Sequence, residues 1–147
     1  MIVGAGMHKT GAMYDAYNRM KFKPDVAFTG RVTNEELFQI YGAALSLVYV
    51  PFFEGFGIPI LEAMRSGVPV ICSDTTSMPE VGGDAVCYVH PDHIEQIAEA
   101  MTRLAEDSAY RNELIQRGFE QQNRFSWKRS AALLWASIEA MMGSTPE

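Results

Sequence analysis

Leu45-Ser46-Leu47-Val48-Tyr49-Val50, followed without a break by Pro51-Phe52-Phe53-Glu54-Gly55-Phe56-Gly57-Ile58-Pro59-Ile60-Leu61-Glu62-Ala63-Met64, decides the fold. The first six residues are a short apolar run of strand length, and the last seven carry apolar residues at helical spacing. Pro59 stands in the first turn, where a missing N–H costs nothing. The helix expected from about Gly57 to Arg65 stops at Gly67-Val68-Pro69, where glycine supplies a left-handed cap and proline forbids continuation. A strand feeding a helix through a glycine-bearing loop is half of a β-α-β unit.

Outward from that unit the rhythm repeats. Met1-Ile2-Val3, Val26-Ala27-Phe28, Val68 to Cys72 and Ala85 to Val89 read as further strands buried on both faces. Lys9 to Met20 reads as a helix, and Thr33 with Glu36 is a capping box opening another through Tyr41. The class is therefore α/β, a Rossmann-like parallel sheet flanked by helices. After the last strand, Asp92 with Glu95 makes a second capping box, and helices are expected over about Ile94 to Ala105, Ala109 to Gln122 and Trp127 to Met142, the last capped by Ser126. This C-terminal helical segment ends in a tail, Gly143 to Glu147, expected to be disordered. The first strand begins at residue 1 with no β-α unit before it, so the front edge reads as truncated.

The chain has 147 residues and 48% hydrophobic residues, enough for one domain with one sizeable core. Its net charge is -6, with lysine and arginine scattered. No cationic face exists to neutralise a phosphate backbone, so nucleic acid and anionic membranes are poor partners. Cys72 and Cys87 sit in apolar strand-like runs and read as buried free thiols. No signal peptide is visible, and the longest apolar stretch, Ala43 to Val50, is too short to span a bilayer. A reducing, cytoplasmic setting is expected.

The chemistry concentrates at the carboxyl end of the Leu45 to Val50 strand, the edge where open α/β sheets bind ligands. Gly55 and Gly57 remove side chains where a ligand approaches the backbone, and the amides of Phe56, Gly57 and Ile58 open a helix whose N-terminus favours phosphate or hydroxyl oxygens. Glu62 lies about five residues into the helix, roughly 7 to 8 Å along its axis. Glu54 precedes the helix on the loop. The two carboxylates are therefore spaced to take hydroxyls at the two ends of a long ligand with phosphate between them.

Other candidates have plainer readings. Gly4-Ala5-Gly6 with Gly11 lacks the spacing of a dinucleotide fingerprint and reads as a tight turn. His90 and His93 flank Pro91 with no converging ligand set and read as surface histidines, so no metal site is assigned. Asp74 and Glu80 serve turns and caps.

Glu54-Gly55-Phe56-Gly57-Ile58-Pro59-Ile60-Leu61-Glu62-Ala63-Met64 resembles the signature of group 1 (family 4) glycosyltransferases. Phe28 to Thr33, Ser66 to Ile71, Pro79 to Ala85 and Val89-His90-Pro91 resemble that family's pattern in the family's order. The resemblance implies the C-terminal, nucleotide-sugar-binding domain of a GT-B fold, with an N-terminal acceptor domain not represented in the chain. It implies a retaining, metal-independent transferase with no cofactor, whose donor substrate is a nucleoside diphosphate sugar and whose acceptor is a glycan or lipid-linked glycan. Carried over, Glu62 would bind the ribose, the amides at Phe56, Gly57 and Ile58 the distal phosphate and sugar, and the backbone near Val32 the base, with Gly55 also donor-binding. Glu54 would be the catalytic carboxylate, orienting and stabilising the reacting sugar rather than attacking it.

The family's arginine and lysine, which hold the diphosphate from a loop preceding the position of Met1, have no counterpart here. Lys9 does not match that motif, so the isolated chain is expected to be inactive. Pro51-Phe52-Phe53 also departs from the family's proline-serine lead-in. Leu133, Leu134, Trp135, Ile138 and Met142 on the last helix read mostly as core packing. The resemblance further places the full-length enzyme at the membrane periphery, and it leaves some of that apolar surface as a route to self-association. The alternative is a non-catalytic sugar-nucleotide-binding or oligomerisation module. A sugar-nucleotide epimerase shares the architecture but lacks the run from Glu54 to Glu62.

Overall fold

The computed structural model describes residues 1–4 and 11–142. The expected tail from 143 to 147, Lys9, and Ala5-Gly6 of the N-terminal turn lie outside the described residues. The chain divides into two compact units, Met1–Ile40 and Tyr41–Glu147.

In the first unit, β1 (Ile2–Val3) and β2 (Phe28–Gly30) pair in parallel, joined by α1 (Gly11–Arg19) and a 3₁₀ turn over Lys23–Asp25. The sequence places the second strand at Val26 to Phe28; the structure starts it two residues later. Pro24 stands in the first turn of the 3₁₀ helix, and the Val26 N–H closes it onto the Lys23 carbonyl at 3.2 Å, which commits Val26 before the ladder begins. α2 (Asn34–Ala43) opens on the expected capping box. The Thr33 N–H donates to Glu36 Oε2 at 2.7 Å, and the Glu36 N–H returns to Thr33 Oγ1 at 3.2 Å.

In the second unit β3 (Leu47–Tyr49), β4 (Val70–Ser73) and β5 (Val86–Val89) form a parallel sheet in the order β3-β4-β5. The register sets Tyr49 beside Cys72, and Cys72 beside Tyr88. Only β4 is buried along its whole length. The expectation of strands buried on both faces therefore fails for β1, which is exposed, and holds in part for β3 and β5, which border a sheet of three strands.

Ile71, Cys87 and Val89 share one face, packed with Ala100 and Leu104 of α5 (Ile94–Glu106) and Leu114 of α6 (Ser108–Gln122). Burying side chains such as Leu104 and Ile71 contributes about 1.5–3 kcal/mol each. Cys72 is buried and Cys87 half-buried, both as free thiols, and burial pushes the Cys72 thiol up to about 12.

α3 (Ile58–Arg65) crosses from β3 to β4 and ends as Gly67-Val68-Pro69 dictates. Gly67 sits at φ +68; its N–H reaches the Met64 carbonyl at 3.2 Å, and the Val68 N–H reaches Ala63 at 2.9 Å, the paired bonds of a Schellman cap.

A short helix, α4 (Met78–Gly82), follows β4; at five residues it is too brief to leave a periodic signal in the sequence. The expected Asp92 cap of α5 is replaced. His93 holds the cap position without a side-chain bond, because the Asp92 N–H is turned toward His90 Nδ1 at 3.3 Å. α6 is capped instead by Asp107, whose Oδ1 accepts from the Tyr110 N–H at 2.9 Å. Ser126 caps α7 (Trp127–Met142) as expected, through the Arg129 N–H at 3.2 Å. α7 buries none of its residues, so the core packing expected of its apolar side chains is not found.

Candidate functional site at the α3 N-terminus

Parallel pairing of β3 with β4 sets the loops that follow the two strands side by side. Residues 51–57 and 74–77 thus share the carboxyl edge of the sheet. The chain enters α3 through Gly57 at φ +99 and ψ 45, with Pro59 in the first turn. A Cβ on Gly57 would lie 2.8 Å from Met78 Cε and 3.3 Å from Ile60 Cδ1, so the turn needs glycine for its backbone and for its packing. Gly55 differs: a Cβ there meets nothing within 4 Å. Its missing side chain serves no internal contact and leaves the loop open toward solvent.

Glu54 is held from several sides. The Tyr49 hydroxyl, at the end of β3, donates to Oε2 at 2.6 Å, and the Gly55 N–H donates to Oε1 at 3.0 Å. The Tyr49 bond is the main cause of a carboxyl held below its ordinary value, with the Phe56 and Gly55 amides adding to it against partial burial. Burial first, and the bond to Glu54 second, push Tyr49 up to about 12. Glu54 therefore stands as an oriented carboxylate facing a neutral phenol.

Glu62, half-buried in α3, receives a 3.4 Å bond from the Tyr41 hydroxyl. Tyr41 is likewise pushed to about 12, by burial first and the charge of Glu62 second. The Phe56 ring stacks edge-on against Phe125, centroids 5.8 Å apart, and Ile58 is exposed at the start of the helix. First-turn amides such as those of Gly57 and Ile58 have no acceptor within a helix, which makes this end suited to anions.

Residues 1–121 match the family model for glycosyl transferases group 1. The chain belongs to the group 1 glycosyltransferases. Over 103 residues this group 1 glycosyltransferase chain is 43% identical to O-antigen chain mannosyltransferase B of Escherichia coli, an alignment covering 70% of the chain and 27% of that protein. Over 125 residues it is 32% identical to serotype-specific mannosyltransferase WbdA of Escherichia coli, covering 85% of the chain and 15% of that protein. It spans less than a third of the length of either curated relative. Sucrose-phosphate synthase from Thermosynechococcus elongatus superposes with a TM-score of 0.79 at 25% identity, over 97% of this chain and 38% of that one. The α/β architecture with parallel sheets is that of the GT-B C-terminal domain.

Within the second unit of this glycosyltransferase chain, Glu54, Gly55, Phe56, Gly57, Ile58 and Glu62 all lie on α3 or the loop feeding it. Val32 belongs to the first unit, where it lines a concavity of about 510 Å³ with Arg31, Thr33, Asn34 and Glu36. A larger concavity of about 780 Å³ at the α5–α6 corner includes none of the residues singled out by sequence. Among the described residues, no three His, Cys, Asp or Glu side chains are disposed to hold a metal ion, and no helix is long and apolar enough to cross a membrane.

Sequence reasoning missed Tyr49, Tyr41, Thr76 and Ser77 as supports of the two acids. Tyr49 and Glu54, five residues apart across a strand end, carried a signal; the others are set by tertiary contact.

Gly55 offers a clean probe of ligand approach. Gly55→Ala is expected to leave stability within about 0.5 kcal/mol of the parent, as for an open surface position. A ligand that packs against this backbone should bind Gly55→Ala about tenfold more weakly, the equivalent of about 1.4 kcal/mol. Unchanged affinity beside unchanged melting would show that no ligand comes close to this backbone.

Proposed function

We propose that the chain is the donor-binding half of a retaining glycosyltransferase that moves a mannosyl group from a nucleoside diphosphate mannose to a glycan or lipid-linked glycan, with the acceptor held by a second domain. The observation that carries this reading is the pair of tyrosine-held carboxylates, Glu54 and Glu62, on either side of a glycine-entered helix N-terminus. The names of the two mannosyltransferase relatives, and their greater length, support the choice of sugar and of a second domain.

In this reading Glu62 accepts from the ribose hydroxyls and the start of α3 faces the diphosphate. Glu54 accepts from hydroxyls of the sugar and stabilises positive charge developing at its anomeric carbon. The bond from that carbon to the diphosphate oxygen breaks, and the acceptor oxygen bonds on the same face. The acceptor's proton passes to the departing phosphate oxygen, so Glu54 neither attacks nor takes a proton. No metal or cofactor is required by this scheme.

Calorimetric titration of the chain with uridine, guanosine and adenosine diphosphates tests the binding half. One of the three should bind, and Glu62→Ala should weaken it by about 10- to 150-fold, the loss of a charged hydrogen bond of about 1.5–3 kcal/mol. The effect should vanish when the ribose hydroxyls are absent from the ligand. Equal binding of ribose and dideoxyribose forms by the parent chain would sink the assignment of Glu62.

A further inference from the structure

Glu54 is fixed through its side chain by Tyr49, yet its backbone is held by a different element, the loop between β4 and α4. The Glu54 N–H donates to Thr76 Oγ1 at 3.3 Å, and the Ser77 hydroxyl donates to the Glu54 carbonyl at 2.8 Å. Two residues earlier, Thr75 Oγ1 lies 3.4 Å from the carbonyls of both Pro51 and Phe52 and 3.3 Å from Ser73 Oγ. Three consecutive hydroxyls thus span the loop from Pro51 to Glu54 across 22 to 24 residues of sequence.

Thr76 makes its contact from φ +54, and among the described residues it is the one non-glycine at positive φ. A β-branched residue is a pronounced outlier there, and such a conformation persists only where surrounding contacts enforce it. Glycine would adopt this backbone without strain but would bring no hydroxyl. The loop that carries Glu54 holds Phe52 and Phe53 outward, 68% and 81% exposed, directly before the carboxylate.

We propose that Thr75, Thr76 and Ser77 form a hydroxyl strap that positions Glu54, with Thr76 retained in a strained backbone for its bond to the Glu54 amide. These are positioning residues, acting on the sugar through Glu54. The functional consequence rests on the donor-binding reading above. With the strap in place, the loop backbone is fixed from one side and the carboxylate from the other, so Glu54 meets a sugar without reorganising.

The test compares Thr76→Gly, Ser77→Ala and Thr76→Ser in the full chain. Glu54 is followed by carboxyl carbon NMR titration, and affinity is measured for guanosine diphosphate mannose and guanosine diphosphate, with the uridine pair alongside. Thr76→Gly removes strain, so it should melt no earlier than the parent. It and Ser77→Ala should nonetheless raise the Glu54 titration midpoint toward 4.5 and cut the affinity contributed by the sugar about tenfold, leaving the nucleoside diphosphate's own affinity unchanged. Thr76→Ser, which keeps the hydroxyl, should retain both properties. An unmoved Glu54 midpoint in Thr76→Gly and Ser77→Ala would overturn the strap, as would a Thr76→Ser chain behaving like Thr76→Gly. If the parent chain binds no nucleoside diphosphate, the donor reading falls, and the titration still decides the positioning of Glu54.

Discussion

Gly57→Ala is expected to destabilise the chain by about 2–5 kcal/mol. Two costs combine: a side chain at φ +99 adds about 1–2 kcal/mol of backbone strain, and overpacking against Met78 and Ile60 adds about 1–3 kcal/mol. Against a total stability of about 5–15 kcal/mol this is a large fraction. Urea unfolding should show a lower midpoint with an unchanged slope. Met78→Ala in the Gly57→Ala background should remove the closest clash, since Met78 Cε is the obstructing atom, but not the backbone strain, and truncating this buried side chain adds its own cavity cost of about 2–5 kcal/mol. Adding a Cβ at Gly55 should change stability little. A Gly57→Ala chain as stable as its parent would mean that α3 can be entered without the left-handed turn.

The second large effect is on chemistry. In an enzyme that holds its donor through this chain, Glu54→Gln should lower turnover of nucleoside diphosphate mannose by about 10²–10³-fold, the scale of losing one preorganised electrostatic group at a reacting centre. Donor affinity should change far less, since Glu62 and the start of α3 are untouched. Tyr49→Phe should act in the same direction but more weakly, because the Gly55 and Phe56 amides still support the carboxylate.

The pH dependence follows from opposite shifts. Glu54 titrates below its ordinary 4.5, so its contribution to stability is present above that value and is lost as pH falls through the lower folded value. Tyr49 titrates above its ordinary 10.0, so its contribution is present below 10.0 and is lost as pH rises through about 12. The Glu54-dependent part of turnover should therefore be flat between about pH 5 and 9. A midpoint inside that window that disappears in Glu54→Gln would contradict the pairing.

What could be read from sequence, and what could not, divides by distance along the chain. The Leu45 to Val50 run, the Pro59 entry and the Gly67-Val68-Pro69 exit place β3, α3 and β4 because each signal acts on its immediate neighbours. The same holds for Thr33 with Glu36 and for Ser126. Local reasoning failed where two local options competed, as when His90 drew the Asp92 amide away from a capping role and the Lys23 carbonyl drew Val26 out of a strand.

At the site, the residue types from Glu54 to Glu62 were legible, and the comparisons bear out the family they suggested. Their supports were not. Thr76 and Ser77 reach Glu54 only because β4 lies parallel to β3, with Cys72 in register beside Tyr49.

α7 has an optical consequence. Both tryptophans of the chain, Trp127 and Trp135, stand on this helix, 84% and 61% exposed, and the Trp135 indole N–H is bonded to Glu139 within the same helix. Indole emission from this protein therefore originates in a water-bathed helix rather than in the packed sheet. Loss of the β3-β4-β5 core would leave the emission wavelength almost where it began, while any body that covered α7 would shift it to the blue.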